Sequence, residues 1–148
     1  RIVVNNETAS AQSFSGNPPS GNIEPDLTTQ KLNNNTSVFT FDAAHNSITV
    51  NQAGLYEVKA FIGFSSFSSL EGDIVCSLSK NGTIYKRIII SRSANTANYN
   101  EGSGVGGSII STDSYAASDK IEVLINRAGT TAVSTFAGSV NLSLEKLD

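Results

Sequence analysis

The sequence predicts an all-β sandwich or barrel, and three observations predict it. Short stretches of alternating apolar and polar residues recur from Val38 to the C-terminus, separated by Asn, Gly, Asp and Ser, the pattern of many strands joined by turns every 8–12 residues or so. No segment carries the 3.6-residue apolar period of a packed helix. Only 16% of the residues are charged, and Ser, Thr, Asn and Gly fill the balance, as turn-rich β domains require. At 148 residues the chain suits one domain with a sizeable core.

Residues 1–4 (Arg-Ile-Val-Val) read as a short strand. Residues 5–36 are polar and carry Pro18-Pro19 and Pro25, so they read as an arm with little core of its own, ordering against a neighbour. The chain is therefore divided into an N-terminal arm, 1–36, and a strand-rich domain, 37–148. Val38-Phe39-Thr40-Phe41 forms the first strand of that domain, a turn occupies 42–46, and Ile48-Thr49-Val50 follows. A long strand runs from Leu55 to Phe64, with Tyr56, Val58, Ala60, Ile62 and Phe64 on one apolar face. Gly72–Ser79 and Thr83–Ser91 flank Asn81-Gly82, a hairpin signal because both residues accept positive φ. Residues 92–107 read as a Ser/Asn/Gly-rich loop, and strands follow at 108–112, 120–126 and 133–144.

The net charge of -3 gives no basic surface for nucleic acid or anionic lipid. No apolar run approaches the roughly 20 residues of a membrane helix, so membrane insertion is not expected. The chain opens on Arg1 without a signal-peptide pattern and reads as a processed form or an excised piece. Five Asn-x-Ser/Thr matches, the first at Asn6-Glu7-Thr8, are what chance gives in so Asn- and Thr-rich a chain. Cys76 is the single cysteine, so no internal disulfide forms; it shares a strand face with Ile74 and Leu78 and reads as a small buried hydrophobe.

Four local patterns, in this order, resemble the C1q/TNF superfamily. They are Phe41-Asp42-Ala43-Ala44-His45-Asn46-Ser47-Ile48-Thr49-Val50 leading to Gly54-Leu55-Tyr56; Leu78-Ser79-Lys80-Asn81-Gly82; Ser118-Asp119-Lys120-Ile121-Glu122-Val123; and Ser134-Thr135-Phe136-Ala137-Gly138. The departures are Asn46 and Ser118 where the family usually has Gly, and the absence of Pro before Gly54. Asn tolerates the left-handed conformation, which makes the first departure mild. The resemblance implies a C1q/TNF-like ten-stranded jelly roll assembling as a homotrimer, without catalytic activity, in a divergent bacterial or viral relative. It further implies that the strand from Leu55 and the strand containing Phe136 face the threefold axis. Leu55, Glu57, Lys59 and Phe61 would then meet neighbouring subunits, with Phe136, Val140 and Leu142 on the axial face and Leu144 beside them. Glu57 would pair with a cation of the next subunit, Lys59 being the nearest choice, since unpaired interface charges are costly.

No catalytic, cofactor or metal site is expected. His45 is the only histidine and sits in a turn with Asp42, where an ordinary surface pair is the better reading. Asp113, Asp119 and Glu101 could meet in the fold, and the resemblance brings oxygen-only calcium sites of C1q relatives into view, but solvated carboxylates are the better reading. The glycines at 102, 104, 106 and 107 lack the Lys-Ser/Thr of a phosphate loop. Tyr85 and Tyr99 are candidate stacking platforms, Tyr99 in a loop where ligand contacts often sit. The expected function is a non-enzymatic trimeric structural or attachment module at an extracellular or virion surface, such as a phage or viral decoration, head-fibre or spike protein, whose partners are its own copies and a capsid protein, cell-surface protein or glycan. The alternative is a secreted C1q-like recognition head that binds a protein or carbohydrate ligand.

Overall fold

The computed structural model describes residues 1–7, 12–14, 23–64, 74–91, 105–127, 133–134 and 139–148. Its strands are β1 (Ile2–Asn5), β2 (Ser13–Phe14), β3 (Thr29–Asn33), β4 (Phe39–Asp42), β5 (Ser47–Val50), β6 (Gly54–Phe64), β7 (Ile74–Lys80), β8 (Thr83–Ser91), β9 (Val105–Tyr115), β10 (Lys120–Arg127), β11 (Val133–Ser134) and β12 (Val140–Lys146). They form two five-stranded sheets, β3-β1-β12-β6-β9 and β4-β5-β10-β7-β8, with a small β11-β2 pair beside them. Every pairing is antiparallel. Successive strands cross repeatedly from one sheet to the other, which is the connectivity of a jelly roll.

The core lies between the sheets. Ile2 and Val4 of β1, Tyr56, Val58 and Ile62 of β6, and Leu142 of β12 approach it from one side; Ile48, Cys76, Leu78, Val123 and Ile125 close it from the other. Each belongs to the inward set of its strand, so alternation alone sorts core from surface. At one end of the core Tyr56 stands edge-on to Phe39 and to Tyr115, with ring centroids 5.8 Å apart in each pair, a favoured aromatic geometry. The Tyr56 hydroxyl donates to the Gln52 carbonyl at 2.6 Å.

Turn chemistry places the strands. Asn81 and Gly82 both have positive φ, 53° and 77°, as a two-residue hairpin twisted like its strands requires. Asp42 caps the 3-10 turn Ala43–His45 by accepting from the Ala44 N–H, and Asn46 ends that turn at φ 49°. Ser118 has φ 78°, the backbone conformation for which glycine is the ordinary residue.

The N-terminal residues are more deeply integrated than their polar composition suggests. β1 lies between β12 and β3 inside the first sheet, and Leu27 is buried in the core with Ile2 and Val4. The division drawn at residue 36 therefore has no counterpart in the packing. Asn6, itself buried, holds the start of β12 by accepting the Val140 N–H on Oδ1 at 2.9 Å. β3 escapes sequence detection because Thr29-Gln30-Lys31-Leu32-Asn33 offers little apolar alternation, being an edge strand whose residues stay largely exposed. β9 extends from Val105 through Tyr115, well beyond the expected 108–112, and the expected strand 133–144 is replaced by β11 and β12.

Candidate functional site

The outward face of the first sheet is the candidate. In β6 Tyr56, Val58, Ala60, Ile62 and Phe64 are buried in the core, so Leu55, Glu57, Lys59 and Phe61 project the other way. Opposed residues on paired strands share a face. Ser114, Thr112, Ile110 and Ser108 of β9 therefore extend the surface on one side of those four residues, and Glu145, Ser143 and Asn141 of β12 on the other. Val3 lies across from Ser143, and Leu32 across from Val3.

This face collects most of the large apolar side chains exposed among the described residues. Six large apolar side chains are exposed among the described residues, and Leu32, Leu55, Phe61 (46%) and Ile110 (56%) are four of them. Leu147 is a fifth: its N–H donates to the Leu55 carbonyl at 2.9 Å, continuing the β12–β6 ladder and its alternation. The sixth, Ile89, is on β8 in the other sheet. The ring of Phe61 rests close to two glycines. A Cβ on Gly106 would stand 3.3 Å from Phe61 Cζ and 3.0 Å from the Ile62 carbonyl oxygen, and one on Gly63 would stand 3.5 Å from Phe61 Cε1. A side chain at Gly106 would therefore displace the ring.

Lys59 Nζ lies 2.6 Å from Glu57 Oε1 of the same chain. Residues two apart on a strand share a face, so within the subunit the lysine stem reaches back to Glu57. An exposed pair of this kind adds about 0–1 kcal/mol; it neutralises Glu57, while Glu145 opposite it on β12 leaves a second carboxylate on the face.

Val140 and Leu142 are not on this face. They stand opposite Ile62 and Ala60, as Leu144 stands opposite Val58, and all three are fully buried in the core. Counting alternation from Phe136 misplaces them because β11 ends at Ser134 and β12 starts afresh at Val140. Phe136 itself, Tyr99 with its loop, and Glu101 lie outside the described residues. Leu32, Ile110 and Leu147 escaped the sequence reading, although the Ile109-Ile110 pair carries a signal: adjacent apolar residues on a strand must face opposite ways.

The remaining candidates are held in ordinary structural roles. His45 Nδ1 lies 2.6 Å from Asp42 Oδ2 on the exposed turn, and this hydrogen bond holds the Asp42 carboxyl below the usual carboxylate range. Asp113 meets Lys80 at 3.3 Å. Asp119 accepts from Asn81 Nδ2 at 2.7 Å and from the Ala116 N–H at 2.9 Å, closing the turn before β10. Tyr85 is not an exposed platform: it packs against the core and its hydroxyl lies 2.6 Å from that of Tyr115. Burial raises both phenols above their ordinary value. Burial likewise pushes the Cys76 thiol up to about 12, so it stays neutral. Among the described residues no helix is long and apolar enough to cross a membrane.

Two five-stranded antiparallel sheets with this connectivity make a jelly roll of TNF/C1q-like fold. The solved structures to which the chain is similar agree. The Eiger TNF of S. frugiperda superposes with a TM-score of 0.64 at 15% identity, over 99% of this chain and 91% of that one. Rabbit GITRL gives 0.54 at 14% identity over 100% and 95%, and bushbaby GITRL gives 0.51 at 11% identity over 80% and 84%. No family model and no curated protein matches the sequence. At these identities the likeness is one of fold.

Proposed function

We propose that the chain is a non-enzymatic structural or attachment module that assembles as a homotrimer through the outward face of its first sheet, in the manner of a phage or viral decoration, head-fibre or spike protein. One observation carries the reading: among the described residues, five of the six exposed large apolar side chains lie on that single face. Apolar surface gathered on one face is removed from water by a matching copy, and the Glu57–Lys59 pair gives Glu57 a counter-charge within its own subunit. Closed rotational symmetry supplies the same patch on every copy. The Ser/Asn/Gly-rich surface and low charge content favour a particle or extracellular setting, with a capsid protein, cell-surface protein or glycan as the further partner.

A second reading, a secreted recognition head for a protein or carbohydrate ligand, is favoured by the likeness to Eiger TNF and GITRL. In that case Tyr99 is the residue to replace. Tyr99→Ala should weaken ligand binding by about 1–3 kcal/mol with the melting temperature unchanged; unchanged affinity removes Tyr99 from the reading.

Multi-angle light scattering at micromolar concentration tests the assembly. A mass of three times 15.5 kDa is expected, and a monomer refutes the proposal.

A further inference from the structure

The second sheet ends on an open edge with a chemistry of its own. Its order, β4-β5-β10-β7-β8, leaves β8 with a strand partner on one side only, and the described residues make no backbone hydrogen bond to its other side. A bare edge offers unpaired N–H and C=O groups to any extended chain. Among the other edge strands, β3 carries one cation, Lys31, which pairs with Glu7, and β4 and β9 carry none. β8 carries Lys86 and Arg87 in succession, both exposed, and neither has a carboxylate partner among the described residues.

A bulge sets how these two cations stand. Ile84 and Lys86 pair with the adjacent residues Ser79 and Leu78, so Tyr85 is an extra residue in β8. Tyr85 turns inward, packed against the core with its hydroxyl 2.6 Å from that of Tyr115. Lys86 then stands opposite Leu78, a core residue, and Arg87 opposite Ser77. Opposed residues share a face, so Lys86 is on the core side of the strand and Arg87 on its outward side. The two charges bracket the edge. Ile84, Tyr85, Lys86 and Arg87 together line a hollow of about 370 Å³. Successive strand residues point to opposite faces, so a hollow that touches four in a row runs along the edge.

We propose that the open edge of β8 takes up an extended acidic segment of a partner protein as an added strand. In this mode main-chain hydrogen bonds hold the segment and the flanking side chains select it. Two adjacent carboxylates meet Lys86 and Arg87, the guanidinium donating to one of them through two parallel N–H groups. Ile89, on the outward side two residues past Arg87 and 58% exposed, adds an apolar contact. A second copy of this chain fits poorly. Two β8 edges laid antiparallel about this point set Lys86 and Arg87 against the same two cations, and like charges directly opposite destabilise a ladder. The inference gives the chemistry of the further partner and rests on the attachment reading for its biological role. It uses the second sheet, whereas assembly uses the first.

NMR titration of the whole chain with the capped hexapeptide Val-Thr-Glu-Glu-Thr-Val tests it. Saturable amide shifts confined to β8 and its neighbour β7 are expected. Lys86→Ala and Arg87→Ala should each weaken binding about tenfold, with the melting temperature unchanged because both side chains are exposed. Lys120→Ala, which removes an exposed cation of β10, should bind like the parent. The same peptide N-methylated at both glutamates keeps its charge but lacks a ladder donor on either side, and should not bind. Absence of shifts, full binding of the methylated peptide, equal binding of Val-Thr-Lys-Lys-Thr-Val, or parent-like affinity in both alanine variants overturns the proposal. A change of oligomeric mass in either alanine variant overturns it too, giving the edge to a second copy. A monomer by light scattering that still binds the peptide refutes the assembly and leaves this site standing.

Discussion

Replacing Phe61 by Ala separates an assembling face from a merely exposed one. A phenylalanine exposes on the order of 200 Å² when unfolded, and 46% of Phe61 remains exposed in the subunit. About 90 Å² per copy is therefore available to a neighbour, which at ~25 cal/mol per Å² is about 2.3 kcal/mol. Three copies in a trimer contribute about 7 kcal/mol, or roughly 10⁵ in the association constant. For a monomer–trimer equilibrium the midpoint concentration follows the square root of that constant, so it should rise roughly 300-fold. Sedimentation velocity across a dilution series reads that shift directly. Ile89→Ala is the control: Ile89 is more exposed, at 58%, but lies on β8 of the other sheet, and its loss should leave the midpoint unchanged. A Phe61→Ala protein that folds and keeps the parent midpoint refutes the assignment of this face, and equal effects from both variants would show that general surface hydrophobicity drives association.

Four further outcomes are expected. Leu142→Ala should cost about 2–5 kcal/mol of subunit stability in urea unfolding, because Leu142 is a core residue; a variant that unfolds like the parent but dissociates would return it to the interface. Ser118→Gly should stabilise by about 1 kcal/mol by relieving the φ of 78°, and a lower melting temperature would show that the serine side chain contributes more than its backbone strain costs. Cys76 should resist thiol reagents until the protein unfolds. With its thiol raised from 9.0 in the unfolded chain to about 12 in the fold, unfolding releases a proton between those values, so the contribution is intact below pH 9 and stability should fall as pH rises through that window; a flat profile for the parent relative to Cys76→Ala would contradict it. His45→Ala should return the Asp42 carboxyl toward its ordinary value, read by carboxyl NMR titration, with melting temperature and assembly unchanged; a carboxyl that stays low would mean that the Ala44 N–H, and not His45, governs it.

The alternation Tyr56-Val58-Ala60-Ile62-Phe64 and the Asn81-Gly82 turn were legible in the sequence because they are local: strand parity and positive φ depend on a few consecutive residues. The same parity sorted Leu55 and Phe61 outward without any knowledge of the partner strands. Order along the chain of four short motifs was enough for the jelly roll, since strand sequence and turn position together restrict the topology. The tertiary structure alone decided what long-range pairing decides. It placed β1 between β12 and β3, drew Leu27 into the core from a polar stretch, and set Val140 and Leu142 opposite Ile62 and Ala60, reversing the face assigned to them. It also brought Leu32, Ile110 and Leu147 onto the face that carries Phe61. Those residues come from strands far apart in the chain, and which of them share a face is fixed by inter-strand register, a property of the hydrogen-bonded ladder that no single stretch of sequence contains.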